Sequence, residues 1–152
     1  MEFHLRELTG NDNEETIRHL WREDLLSVQG NKQDTLDYIR RHLEKDMGDI
    51  LRIYSGSKGR FFILEKGKEL CGFIGVLLQE NCYRIQRLNV LKAYRGKGLG
   101  NKLFLAAFQW ASKYSSSIRA YTDSNNHASN RILQKKPHRR KQMGSIVEYI
   151  YY

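Results

Sequence analysis

The feature that most constrains this sequence is a strand, a glycine-rich turn and a helix that follow one another between residues 83 and 114. Tyr83–Val90 (YRIQRLNV) is typical of a strand, and Arg95–Gly100 reads RGKGLG. From Gly98 to Tyr114, apolar residues recur at helical spacing. The first N–H groups of a helix lack intrahelical partners, and the helix dipole favours negative charge there. The arrangement therefore predicts an anion site.

The residues of the turn favour a diphosphate as the anion. Glycine lets the backbone approach phosphate oxygens closely and takes positive φ without a Cβ clash. Arg95 and Lys97 add cationic donors at the same place. Two common phosphate motifs do not fit, because no Lys-Ser or Lys-Thr follows the last glycine and the G-x-G-x-x-G spacing is absent.

Length and composition predict one globular domain over residues 1–152, with 40% hydrophobic and 28% charged residues. No apolar run approaches the roughly 18 residues of a membrane span. The N terminus lacks a signal-peptide core, so we expect a cytoplasmic protein. Cys71 and Cys82 are expected to be reduced thiols, since their number and spacing match no disulfide framework or metal motif.

The remaining segments predict further strands and helices. We expect strands at residues 2–8, 61–65, 70–78, 118–122, 138–142 and 145–152, and helices over about 13–29, 33–47 and 126–136. Gly30 and Asn31 are expected to end the first of these helices, and Pro137 the last. The sequence thus predicts elements in the order β-α-α-β-β-β-α-β-α-β-β.

The strand that begins at Tyr83 carries an irregular pattern. Tyr83 and Ile85 have one parity, whereas Leu88 and Val90 have the other. A β-bulge and a sheet covered on both faces explain this slip equally well.

Together these features resemble the GNAT superfamily of N-acyltransferases. Its pantetheine-diphosphate loop has Arg or Gln, two residues, Gly, one residue, then Gly or Ala, and Arg95, Gly98 and Gly100 fill the three positions. Leu88 and Val90 match the apolar pair that precedes this loop. The resemblance spans nearly the whole chain. It implies an α/β (α+β) acyl-CoA N-acyltransferase fold, whose mixed central sheet of six or seven strands has splayed middle strands and about four flanking helices.

The same resemblance implies acetyl-CoA (coenzyme A) as the cofactor. One strand would pair with the pantetheine amides, the glycine-rich loop would hold the diphosphate, and the next helix start would contact the pantetheine or nucleotide end. The cofactor-binding residues would be Leu88, Asn89, Val90, Arg95, Gly96, Lys97, Gly98, Leu99, Gly100, Asn101, Asn126 and Ser129.

Charge is distributed unevenly along the chain. Residues 1–80 hold 12 Lys and Arg against 15 Asp and Glu, whereas residues 81–152 hold 14 against 2. Such asymmetry indicates a different partner for each half. The basic half suits a polyanion such as coenzyme A, and a nucleic-acid surface or a solvated basic face stay open as alternatives.

The usual proton-transfer residues of the family are not where the resemblance would place them. The position of the general-acid tyrosine holds Leu133, and the positions of the carboxylate base hold Gln86 and Arg87. A thiolate is a good leaving group, since a simple thiol has a pKa of about 8.5, so a dedicated acid is helpful but not required.

Other groups are therefore assigned to the chemistry. The backbone N–H of Val90 is expected to polarise the thioester carbonyl. Glu23 or Asp24, on the acidic first helix, is expected to take the amine proton through water, and Tyr121 is the candidate to assist the thiolate.

These assignments describe an N-acetyltransferase that moves an acetyl group from acetyl-CoA to a primary amine by direct attack. The acidic residues of the first two helices favour a cationic amine. A non-catalytic acyl-CoA-binding module and a nucleic-acid-binding domain are the alternatives, and a homodimer stays open.

Overall fold

Seven strands and five helices make up the part of the chain that the structure, a computed structural model, describes: residues 2–28 and 32–152. The strands are β1 (Phe3–Glu7), β2 (Gly59–Lys66), β3 (Glu69–Gln79), β4 (Cys82–Val90), β5 (Ile118–Asp123), β6 (His138–Met143) and β7 (Ile146–Tyr151). The helices are α1 (Glu14–Val28), α2 (Lys32–Leu43), α3 (Ile50–Ile53), α4 (Leu99–Ser112) and α5 (His127–Leu133). The expected helix end at Gly30 and Asn31 lies outside the described residues.

The strands form one mixed sheet in the order β1-β2-β3-β4-β5-β7-β6. Only β4 and β5 are parallel, and they pair over a short stretch, Tyr83–Ile85 against Ile118–Ala120. Beyond it, β4 continues beside β3 and β5 continues beside β7. The predicted fold is confirmed, with its middle strands parted at this point.

Each face of the sheet carries its own core. Helices α4 and α5 cover one face, with Leu103, Phe104 and Leu133 among the buried residues. Helices α1 to α3 cover the other face, where Trp21 and Ile50 are buried. No described residue of β5, β6 or β7 belongs to this second core, so α1 to α3 cover only one half of that face.

A β-bulge in β4 accounts for the irregular pattern of apolar residues. Arg87 has φ +62°, and Arg87 and Leu88 together face a single residue of β3. The extra residue returns Leu88 and Val90 to the side of Tyr83 and Ile85, and all four contact the α4 core. Both faces of the sheet are also covered, but the bulge is what shifts the parity.

The second helix is shorter than its apolar spacing predicts. It ends at Leu43, and residues 46–48 form a 3-10 turn that buries Asp46 and Met47. Leu36, which the spacing places on the buried stripe, is 41% exposed. The expectation of one helix as far as Met47 is therefore wrong. The chain turns here because Asp46 points inward to a partner on β4, described below.

Candidate active site

The N terminus of α4 presents free backbone donors. Gly98 is the N-cap residue, with φ +76° and ψ 12°, and no side chain caps the helix. The N–H of Lys102 bonds to the carbonyl of Gly98 at 3.3 Å. The three preceding N–H groups, of residues 99 to 101, therefore have no helical acceptor. Gly96, at φ +82°, also takes a left-handed conformation in this loop, and the loop has the geometry expected of an anion cradle.

The two glycines that flank Leu99 have different roles. A Cβ on Gly98 would meet no atom within 4 Å, so its left-handed φ is what requires glycine. A Cβ on Gly100 would lie 2.6 Å from Cδ1 of Ile132. Gly100 therefore allows α5 to approach α4. Its replacement would disturb packing as well as the loop, which leaves Gly98 as the position that tests the cradle alone.

The peptide group of Val90 faces the opening between β4 and β5. The N–H of Leu91 donates to the carbonyl of Cys71 on the β3 side at 2.9 Å. Because hydrogen-bonding direction alternates along an antiparallel strand, the N–H and carbonyl of Val90 point away from β3. Its carbonyl accepts from Nε of Arg95 at 2.8 Å, on that outer side.

A polar cluster joins α1 to this end of β4. The carboxylate of Asp24 accepts from Nη2 of Arg95 at 2.9 Å and from Nδ2 of Asn89 at 3.2 Å. Within the described residues, Oδ1 of Asn89 is buried without a hydrogen-bond partner. The structure thus brings Asp24 to the site. It does not bring Glu23, which is exposed and lies about 100° further round the helix axis.

The remaining predicted cofactor residues lie at, or just before, the starts of α4 and α5. Leu99 is buried at the start of α4, Lys97 is exposed, and Asn101 is half-buried. Asn126 caps α5, its side chain accepting from the N–H of Ser129 at 3.1 Å. Asn126 itself is exposed, whereas Ser129 is buried.

Tyr121 lies just beyond the last β4–β5 pair. Its hydroxyl donates to the carboxylate of Glu148 on β7, and the guanidinium of Arg84 lies 4.7 Å from the centre of its ring. Burial and the hydrogen bond to Glu148 raise the pKa of Tyr121. Its proton is therefore held more firmly than in a free phenol.

A buried ion pair that the sequence pattern did not reveal anchors the bulge. Arg87 donates from Nε and Nη2 to the two carboxylate oxygens of Asp46 at 2.9 and 2.7 Å. The two side chains are only 10% and 7% exposed. Burial raises the pKa of Asp46, but the hydrogen bonds and charge of Arg87 outweigh it and hold that pKa below its usual value. An arginine inside a buried strand signals that a carboxylate must be near, though not which one.

Aromatic and polar side chains surround this pair. Tyr54 donates to Asp46 at 2.5 Å and accepts from the amide of Gln86 at 2.8 Å. Arg87 also donates to the hydroxyl of Tyr38 at 3.2 Å and contacts Nδ1 of His42 at 2.5 Å. The bulge is thereby tied to α2, the 3-10 turn and α3 at once.

His42 makes this network sensitive to acid. Burial and the charge of Arg87 lower the pKa of His42 to about 4, against about 6.5 in the unfolded chain. Between these values the unfolded chain binds more protons, so stability falls as pH drops from 6.5 towards 4.

We expect His42→Gln to reduce the difference in unfolding free energy between pH 7 and pH 5, measured in urea. An unchanged difference would show that His42 is not held neutral.

Membrane spans and metal clusters are both missing from residues 2–28 and 32–152. Among these residues, no helix is long and apolar enough to cross a membrane. In the same part of the chain, no three His, Cys, Asp or Glu side chains are grouped as metal ligands. Cys71 and Cys82 are both buried free thiols.

Two solved structures have a fold similar to that of this chain. The PaiA N-acetyltransferase of Thermoplasma acidophilum, whose crystal structure contains coenzyme A, superposes with a TM-score of 0.80 at 24% identity, over 99% of this chain and 100% of that chain. PH1933 from Pyrococcus horikoshii superposes with a TM-score of 0.76 at 19% identity, over 99% and 98%. Likeness at these identities establishes the fold.

Sequence comparison gives the family. The mouse (Mus musculus) protein named "Probable N-acetyltransferase family 8 member 5" is 32% identical over an 81-residue alignment that covers 49% of this chain and 36% of that protein. The chain thus matches about a third of the length of this curated relative. The family model described as "Acetyltransferase (GNAT) family" matches residues 15–136. The chain therefore belongs to the GNAT acetyltransferase family.

Proposed function

We propose that this protein transfers an acetyl group from acetyl-CoA to a primary amine by direct attack. The observation that carries the proposal is that β4 parts from β5 immediately beside the uncapped N terminus of α4. One place thus offers an exposed strand edge for the amides of the pantetheine arm and free N–H groups for a diphosphate.

The residues present fit acetyl-CoA. The donors at residues 99 to 101 and the cations Arg95 and Lys97 match a diphosphate. The exposed edge at Leu88 to Val90 matches the pantetheine amides. Asn126 and Ser129 stand at the start of α5, which packs against α4 at Gly100. The bound cofactor supplies an activated acetyl thioester. PaiA, a protein of the same fold, was crystallised with coenzyme A.

The chain's own groups supply the rest of the chemistry. The N–H of Val90 donates to the thioester carbonyl oxygen and stabilises the negative charge that develops there. On the α1 side, Asp24 and the unpartnered Oδ1 of Asn89 accept hydrogen bonds from the amine. Asp24 takes the amine proton, directly or through water. Tyr121 is the candidate to assist the thiolate.

Binding and transfer assays test this function. A ligand at 100 times its Kd adds about 2.7 kcal/mol to native stability, so millimolar coenzyme A should raise the melting temperature.

With a panel of primary amines, Asp24→Asn is expected to lower kcat/KM about 100-fold, as loss of a general base does. Glu23→Gln, the adjacent carboxylate on the exposed side, should stay within about twofold.

Other outcomes point to the alternative functions. Coenzyme A binding without transfer to any amine would indicate a non-catalytic acyl-CoA-binding module. Absence of coenzyme A binding, with DNA affinity that falls steeply with salt, would indicate a nucleic-acid-binding domain. A bell-shaped pH profile of kcat/KM that loses one limb in Tyr121→Phe would show that a dedicated acid exists.

A further inference from the structure

Two arginines lie side by side on the half of the sheet face that α1 to α3 leave uncovered. Arg84 of β4 and Arg119 of β5 are register partners in the parallel pair. Like charges at opposite positions destabilise a sheet. Within the described residues, Nε of each arginine is also buried without a hydrogen-bond partner. An unsatisfied buried donor is costly, so an anion bound at this arginine pair would stabilise it.

The carboxylate beside the pair cannot satisfy both arginines. Glu148 is 4% exposed, and Oε1 lies 3.6 Å from Nη1 of Arg119. Its other oxygen accepts from the hydroxyl of Tyr121. Arg84 instead donates to the amide oxygen of Gln79 at 2.8 Å. Lys141 of β6 is the register partner of Glu148 and adds a third cation on this side, so positive charge exceeds negative charge here.

The arginines stand at the closed end of the opening that the proposed chemistry uses. The β4–β5 pairing ends one residue after Arg84, at Ile85. Arg84 and Asn89 project from the same sheet face, because the bulge between them reverses the alternation. Their partners on β3, Phe73 and Leu77, are four residues apart, so at about 3.3 Å per residue Arg84 and Asn89 are separated by about 13 Å. The arginine side chain reaches over part of this distance, and an extended peptide of two to three residues spans most of the rest.

We propose that Arg84 and Arg119 bind a carboxylate of the acceptor. The inference rests on the proposed function, in which the amine lies at Asp24 and Asn89. The acceptor is then a short peptide, or an amine of similar length, whose acidic group follows the amino group by two or three residues. The planar guanidinium fork matches a carboxylate.

A carboxylate fits this site better than a nucleic acid does. The two neighbouring guanidiniums have a buried carboxylate, Glu148, beside them, and Arg139 on the same sheet face lies two strands away from Arg119. A phosphate backbone is instead bound by a long row of cations. Asp123 follows on the same face of β5, two residues after Tyr121, and interrupts such a row.

The test compares two peptides that differ only in charge. Calorimetry on the full chain, with and without coenzyme A, gives Kd for Gly-Gly-Glu and Gly-Gly-Gln, both with amidated C termini. We expect Gly-Gly-Glu to bind at least about tenfold more tightly, as a charge-assisted hydrogen bond gives. Arg84→Gln and Arg119→Gln should each remove most of this preference. Arg140→Gln, on the opposite face of the edge strand β6, removes the same charge and should leave the preference intact.

Each other outcome would overturn the proposal. These are equal or undetectable binding of the two peptides, an equal weakening of both by Arg84→Gln, or displacement of Gly-Gly-Glu by a DNA duplex at low salt. The last would assign the arginines to a nucleic-acid surface. Calorimetry needs no acetyl transfer, so it tests the arginine site separately from the proposed function. A preference for Gly-Gly-Glu without acetyl transfer would contradict the proposed function but support the carboxylate site. Acetyl transfer without this preference would support the proposed function but contradict the carboxylate site.

Discussion

Replacing Asp46 with alanine is expected to lower the free energy of unfolding by about 3–5 kcal/mol, because it leaves the buried Arg87 guanidinium without its counter-ion. The variant also removes the acceptor of the Tyr54 hydroxyl, which is itself buried. Urea unfolding followed by circular dichroism measures the change. Arg87 keeps its left-handed φ only while the surrounding contacts hold it, so looser packing around the bulge is expected as well.

A nearby carboxylate provides the control. Asp49 lies three residues further on and pairs with Arg52 at 2.5 Å, but its side chain is 49% exposed. Exposed pairs contribute little, so Asp49→Asn should change the unfolding free energy by about 0.5 kcal/mol or less. If Asp46→Ala costs no more than Asp49→Asn, the pair does not hold the bulge.

Replacing Gly98 with alanine is expected to weaken coenzyme A binding about 10- to 100-fold. The left-handed φ of +76° opposes any Cβ, and relief of that strain moves the free N–H groups at the start of α4. Loss of one or two hydrogen bonds to a charged diphosphate accounts for a change of this size. Calorimetric titration with coenzyme A measures it.

Gly144 separates lost binding from backbone strain. It has φ +63° in the turn between β6 and β7, and a Cβ there would also meet no atom within 4 Å. Gly144→Ala should therefore lose about as much stability as Gly98→Ala, roughly 1–2 kcal/mol, while binding coenzyme A normally. Equal coenzyme A affinity in the two variants would mean that the glycine-rich loop serves only as a turn.

Much of the fold could be predicted because its signals are local. The alternation of β4, the helical spacing of α4 and the glycines between them act over a few residues. These signals predict α4 to within two residues at each end. The parity slip around Gln86 and Arg87 indicates a bulge, although the slip by itself fits a doubly covered sheet equally well.

What the sequence by itself determined is the order of the strands and of the longer helices and the resemblance to the family, whereas α3 (Ile50–Ile53) was not predicted and the anion cradle at Gly98 stays a prediction. The tertiary structure alone decided which distant groups meet. Asp46 and Arg87 are 41 residues apart, and Asp24 and Arg95 are 71 apart. In the sequence, nothing distinguishes Asp24 from its neighbour Glu23 as a candidate base. Only the orientation of α1 against β4 places Asp24, and not Glu23, at the site. The physical reason is range: periodicity and turn chemistry act between neighbours, whereas ion pairs and buried contacts depend on how the whole sheet brings its helices together.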